Sequence, residues 1–120
     1  MIYHLVPRSD WDACPDLPYA PASLGRDGFI HCAPDEATTL AVAGAFYRDA
    51  PRPLLAVVLD EERLGAPCVW EAADPVPPPG VPDSVRFPHV HGPLDRAAVH
   101  RVLIVRWDEE DRPAGLDATD

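Results

Sequence analysis

Lysine is absent from this chain: all 10 basic residues among its 120 residues are arginines. Without lysine there is no lysine Schiff-base chemistry and no P-loop, whose lysine binds the phosphate. The 20 acidic residues leave a net charge of −10 at pH 7. Because nucleic-acid binding requires clustered cations, we expect no bulk nucleic-acid binding.

Cysteine is scarce. Cys14, Cys32 and Cys68 are odd in number and form no C-x-x-C pair. This argues against a disulfide framework or a zinc ribbon and favours a reducing compartment.

Long hydrophobic runs are also lacking. No apolar segment approaches the roughly 20 residues needed to span a bilayer, and Met1–His4 lack the charged and apolar regions of a signal peptide. The expectations are a cytoplasmic location and no membrane association. Nothing in the sequence indicates a protein partner.

Short apolar segments alternate with turn signals along the chain. They predict an α+β fold of about six short strands, one main helix and several helical turns. The continuous apolar run 54–59 predicts the central strand of the sheet. The main helix is expected from Pro34 to just before Pro51. We expect a single domain over residues 1–108. Residues 109–120, which are acidic and poor in large apolar side chains, are expected to be a disordered tail.

The segment 27–32 combines a turn, a strand and a reactive side chain. Asp27-Gly28 marks a tight turn, and the residues after it have the composition of a buried strand. Alternation along a strand places Phe29 and His31 on one face. Here His31 could orient a ligand or transfer a proton, or it could equally be a hydrogen-bonded histidine of the core.

The preceding segment 16–26 is punctuated by proline and glycine, which predicts a loop between two strands. Loops in such positions often carry function. Its candidate ligand-binding residues are Tyr19 and Ser23.

His89 and His91 form an H-x-H pair, which the period of two places on one face of a strand. Two such imidazoles can bind a transition metal, with His31 or His4 as a third ligand. No acid or cysteine stands at a recognisable spacing to complete that site, so a metal cofactor is the weaker interpretation.

Glu71 is the one acid inside a predicted strand, next to Trp70. Most strand acids lie on a solvated face. A partly buried glutamate with a raised pKa would instead be a candidate catalytic residue.

Several motifs together resemble a bacterial family catalogued as domain of unknown function 952, over about residues 2–107. They are Tyr3-His4, Trp11, Tyr19, Ser23-Leu24, Asp27-Gly28-Phe29-Ile30-His31-Cys32, Trp70-Glu71 and the segment 87–94, FPHVHGPL. The resemblance departs from the family at two positions. The family usually has tyrosine where this chain has His91, and commonly serine where it has Ala33.

The family is grouped with the ADP-ribosyltransferase-like fold, in which a pair of small sheets binds NAD in a cleft. The resemblance implies that His4 holds a ribose, that His31 contacts the nicotinamide end and that Glu71 drives the transfer.

Three functions therefore stay open. The leading one is a pocket protein that binds or uses NAD or a related nucleotide, and is an NAD-using transferase if it is an enzyme. In that function Glu71 and His31 are catalytic. The ligand-binding residues would be His4, Tyr19, Ser23, Phe29, His89 and His91. The alternatives are a metal-binding or metal-assisted hydrolase site on His89, His91 and His31, and a non-catalytic small-molecule-binding accessory domain.

Overall fold

A computed structural model describes residues 1–73 and 76–119 of the chain. The helices are α1 (Arg8–Trp11), α2 (Ala22–Asp27) and α3 (Glu36–Phe46), with 3-10 turns at Glu61–Arg63 and Arg96–Ala98. The strands are β1 (Ile2–Pro7), β2 (Ile30–His31), β3 (Leu54–Leu59), β4 (Cys68–Ala72), β5 (Arg86–Val90), β6 (Val99–Trp107) and β7 (Pro113–Ala118). The predicted α+β class is confirmed: two antiparallel sheets are combined with few helices.

The larger sheet has four strands in the order β1-β3-β6-β7. All six residues of β3 are buried, as the continuous apolar run predicted. Alternate residues of β3 face two different cores. Leu55, Val57 and Leu59 pack toward the second sheet, whereas Leu54 and Ala56 pack in the cluster that includes Ala43 of α3. The predicted central strand is thus confirmed.

The smaller sheet has three strands in the order β2-β5-β4. It is joined to β1 by an antiparallel bridge between Tyr3 and Ala33. The Tyr3 N–H donates to the Ala33 carbonyl at 2.9 Å, and the Ala33 N–H donates to the Tyr3 carbonyl at 2.7 Å. The two sheets are therefore joined at the edge strand β1.

The predicted main helix is present as α3, but it begins at Glu36, two residues after Pro34, and ends at Phe46, before the expected stop at Pro51. The Asp35 side chain accepts a hydrogen bond from the Thr38 backbone N–H at 2.7 Å, which caps the first turn of α3. The helix is the longest among the described residues, and none of their helices is long and apolar enough to cross a membrane.

Two expectations about irregular segments were wrong. The predicted loop 16–26 contains the six-residue helix α2, which ends where Gly28 takes a left-handed conformation at φ 85°. The predicted disordered tail contains β7, which pairs with β6 from Leu103↔Ala118 to Trp107↔Pro113. The preceding strand β6 pairs with this acidic segment across a short turn and orders it, so its composition alone was misleading.

Candidate functional site

A cavity of about 290 Å³ lies beside β1, at the junction of the two sheets. Its wall combines residues from both sheets and from α2 and α3. The described residues that line it are Tyr3, His4, Leu5, Ser23, Arg26, His31, Cys32, Ala33, Val42, Phe46, Tyr47, Ala73, Val76, Pro78, Phe87 and His89. Four of the predicted site residues are among them: His4, Ser23, His31 and His89.

His31 lies on β2 and is paired with a carboxylate at the end of α2. Its Nε2–H donates to Asp27 Oδ2 at 2.8 Å. The Arg26 guanidinium makes two hydrogen bonds of 3.2 Å to the same carboxylate. These two partners, Arg26 first and then His31, lower the pKa of Asp27. The left-handed Gly28 ends α2 and turns the chain, which places Asp27 beside the strand that carries His31.

His89 lies on β5 and is held by a carboxylate of the adjacent strand β4. Its Nδ1–H donates to Glu71 Oε1 at 2.9 Å, and His91 Nε2–H donates to the same oxygen at 3.0 Å. Hydrogen bonds from His91 and then from His89 lower the pKa of Glu71. Glu71 is therefore an anion that orients two imidazoles, and the raised pKa expected of a buried catalytic acid is not found.

The His89 side chain is only 3% exposed. Burial lowers its pKa, and the Glu71 carboxylate opposes that shift. Because Nδ1 carries the proton that Glu71 accepts, neutral His89 has its lone pair on Nε2. That nitrogen makes no hydrogen bond within residues 1–73 and 76–119.

Phe29 packs against all three imidazoles of this cluster. Its ring stacks on His89 with centroids 4.0 Å apart at 16°, and it lies 4.6 Å from His31 and 5.4 Å from His91. The His31 and His89 rings are 5.7 Å apart. Phe29 thus supports the imidazoles from behind and does not line the cavity.

His4 lies at the junction of the sheets with both of its nitrogens engaged. Nδ1–H donates to the His31 backbone carbonyl at 2.7 Å, so Nε2 can only accept, and the Tyr19 hydroxyl lies 3.4 Å from it. Burial lowers the pKa of His4 to about 4. His4 is therefore a neutral histidine that joins β1 to β2, and its imidazole stabilises the cavity floor.

A family match covers residues 5–102, which is most of the chain. The chain belongs to the family described as protein of unknown function (DUF952). This confirms the resemblance inferred from the sequence motifs.

Two solved structures resemble this DUF952 chain over nearly its whole length. The X-ray crystal structure of protein CC0527 from Caulobacter crescentus is 27% identical, with a TM-score of 0.75, and the match covers 94% of this chain and 92% of that one. A double mutant of the same protein matches at 26% identity, with a TM-score of 0.74 and the same coverage. No curated protein matches the chain.

Four predicted site residues of the DUF952 chain lie behind the wall and do not form it. Phe29, Glu71 and His91 support the wall imidazoles, and Tyr19 supports His4. Sequence reasoning missed the aromatic residues of the wall and its cation, namely Tyr3, Arg26, Phe46, Tyr47 and Phe87. The ends of α2 and α3 supply three of these five residues. The available signals were the arginine directly before the Asp-Gly turn and the aromatic pair at the end of the main helix.

The described part of the chain contains no group of three or more His, Cys, Asp or Glu side chains that could hold a metal ion. The two imidazoles of the H-x-H pair do lie on one face, as predicted, but both donate to Glu71 Oε1. This geometry gives the metal alternative no support. Cys32 also lines the cavity, and burial raises the pKa of its thiol, which keeps it a poor nucleophile.

Proposed function

We propose that the cavity binds a nucleotide, with NAD or a related nucleotide as the ligand, in a split-sheet arrangement of the ADP-ribosyltransferase-like type. The observation that carries this proposal is the position of the cavity. It lies at the Tyr3–Ala33 bridge that joins the two sheets, both bridge residues line it, and both sheets contribute to its wall. Of the three residues that the family resemblance assigns to NAD, His4 and His31 line this cavity, whereas Glu71 lies behind it.

The chemistry of the wall suits a nucleotide. Tyr3, Phe46, Tyr47 and Phe87 provide aromatic surface for a base or a nicotinamide ring. Phe46 is 55% exposed, so its ring offers accessible apolar surface to a ligand in the cavity. Arg26 supplies a cation for a phosphate.

The size of the cavity limits how much of a dinucleotide it encloses. At about 290 Å³ it is at the lower end of the range for small-molecule pockets. It therefore takes one end of NAD, with the remainder extending past Arg26. In this arrangement His31 and His89 contact the enclosed end, whereas His4 and Tyr19 act by holding the floor.

Isothermal titration calorimetry with NAD, ADP-ribose and AMP tests the proposal. We expect NAD to bind, and the substitution Arg26→Gln to weaken binding about tenfold, because a charge-assisted hydrogen bond to phosphate is worth roughly 1.5–3 kcal/mol. The matched control is Arg101→Gln on the exposed part of β6. Absence of heat with all three nucleotides, or equal losses in the two variants, would refute nucleotide binding here.

The non-catalytic accessory domain remains the second candidate, because Glu71 does not line the cavity. It predicts that Glu71→Ala leaves nucleotide affinity essentially unchanged and that the wild-type protein turns over no bound nucleotide. Turnover of NAD by the wild-type protein would exclude it.

A further inference from the structure

Two histidine–carboxylate pairs face one cavity, and neither pair shares a strand with the other. His31 is bonded to Asp27 at 2.8 Å, and His89 to Glu71 at 2.9 Å. In each pair one ring nitrogen is bound to the carboxylate and the other is not. Since the two rings are 5.7 Å apart, one reacting group can contact both.

The charges around the two imidazole rings favour displacement at phosphorus over cleavage of a glycosidic bond. No Asp or Glu is among the described residues that line the cavity, because Asp27 and Glu71 are turned toward the imidazoles. Cleavage of a glycosidic bond develops positive charge on the sugar and commonly uses a carboxylate beside it. Displacement at phosphorus spreads negative charge over oxygens, which cations and N–H donors stabilise. The Arg26 guanidinium and the Ser23 hydroxyl provide such donors.

We propose that the cavity hydrolyses a phosphorus–oxygen bond of its nucleotide, with His89 as general base and His31 as general acid. This inference rests on the proposed nucleotide binding. Nε2 of neutral His89 takes a proton from water, and the water oxygen forms a bond to phosphorus. The bond from phosphorus to the leaving oxygen breaks, and His31, as an imidazolium, gives that oxygen its proton. The proton then returns from His89 to His31 through solvent. Water is the only co-reactant.

Glu71, Asp27 and Phe29 are positioning residues in this scheme. Glu71 fixes the tautomer of His89 that leaves Nε2 unprotonated, and Asp27 stabilises the imidazolium of His31. Phe29 stacks on His89 and restricts its ring to one orientation.

The first experiment follows NAD and 2′,3′-cyclic AMP separately by phosphorus NMR. Cleavage of NAD at phosphorus gives AMP and nicotinamide mononucleotide, and cleavage of the cyclic ester gives an adenosine monophosphate. Either product supports the inference and identifies whether the substrate is an anhydride or an ester. Release of free nicotinamide would overturn the assignment to phosphorus. Binding without turnover of either compound would overturn the inference but leave the proposed nucleotide binding intact. Absence of binding would overturn both.

The second experiment assigns the roles. We expect His89→Asn to lower kcat at least a hundredfold, the lower end of the effect of general acid–base catalysis, while the Kd for the nucleotide changes less than threefold. The matched control is His100→Asn, an exposed histidine of β6, purified in parallel. Equal rates in the two variants would overturn the assignment of His89.

The pH dependence of the rate distinguishes a positioning role of Glu71 from a purely structural one. His89 is faced by Glu71, His31 and His91. Of these only the Glu71 carboxylate favours the imidazolium, so Glu71→Gln should move the acidic limb of the rate profile to lower pH. An exposed acid, Glu109→Gln, is the control. An unchanged acidic limb in a folded Glu71→Gln protein would overturn the positioning role.

Discussion

His4 carries its proton on Nδ1, because its partner there is a backbone carbonyl that can only accept. Burial then keeps the ring neutral, with a pKa of about 4. The family resemblance assigns this residue to ligand binding, yet both nitrogens are already engaged with His31 and Tyr19. His4 therefore contributes to the site by holding the backbone of β2 in place beside the cavity.

The state of His4 makes folding depend on pH. The pKa of the unfolded chain is near 6.5, above that of the folded chain, so its stabilising contribution is complete above pH 6.5. As the pH falls from about 6.5 to about 4, the unfolded state takes up the proton first, and the free energy of unfolding falls by about 3 kcal/mol. Chemical denaturation from pH 4 to 7 measures this slope.

The variant His4→Asn isolates the contribution of His4, because asparagine keeps a donor near the Nδ1 position and does not titrate. Its unfolding free energy should change less over this pH range than that of the wild-type protein, whereas His100→Asn should retain the full slope. Parallel pH slopes in all three proteins would contradict the assignment.

Among the elements, β7 is the one whose structure differs most from what its amino-acid composition predicts. It pairs along one edge of β6, and the segment before it is anchored to the connection between α3 and β3: the Arg52 guanidinium binds Asp111, and the Arg48 guanidinium donates to the Asp111 carbonyl at 3.1 Å. Gly44 of α3 also lies against Pro113, since an added Cβ would be 3.3 Å from its ring. These contacts make β7 part of the core sheet.

Removal of residues 109–120 should therefore be costly. We expect the shortened chain to lose roughly 2 kcal/mol or more of unfolding free energy, because β6 becomes an edge strand and buried apolar surface near Val105 is exposed. Urea denaturation measures the loss. Removal of residues 119–120 alone, beyond the end of β7, should leave the midpoint unchanged. Equal midpoints for both truncations would mean that the segment contributes nothing to the fold.

The elements show which parts of the fold could be predicted from the sequence. A central strand buried on both faces has a local signature, and so does a helix that opens on Pro34-Asp35. Helix α2 lacks such signals: its N-cap is Pro21, with no side-chain hydrogen bond, and it buries no residue. β7 forms because it pairs with the preceding strand β6 across a short turn, and amino-acid composition does not reveal such a pairing.

The same distinction applies to the site. The period of two correctly predicted that His89 and His91 share a face, and both imidazoles do reach one carboxylate. The identity of that carboxylate depends on the register between β4 and β5, in which Glu71 lies opposite Phe87. Register is set by the whole sheet, so the role of Glu71 could not be derived before the fold was known.

At the scale of the whole molecule, the net charge of −10 acts against the compact state. Several ion pairs join exposed side chains, such as Arg106–Asp117 and Arg112–Asp108, and pairs of that kind contribute little. We therefore expect the melting temperature to rise by a few degrees as sodium chloride increases from low to physiological concentration, because salt screens the repulsion.

A variant with fewer exposed acids tests the cause of that rise. Asp49→Asn, Asp83→Asn and Glu109→Gln together lower the negative charge at exposed positions. This triple variant should melt at a higher temperature in low salt and respond less to added salt. A salt response as large as that of the wild-type chain would point away from net charge as its origin.

The Tyr3–Ala33 bridge and the His4–His31 hydrogen bond fasten the two sheets together directly beneath the cavity, although the partners in the latter are 27 residues apart in the chain. A compound bound in the cavity contacts both sheets and therefore stabilises their association. Compound collections can therefore be screened by thermal shift before the chemistry of the ligand is known, since a compound that binds the folded protein raises the melting temperature by an amount that grows with the logarithm of its concentration over its Kd.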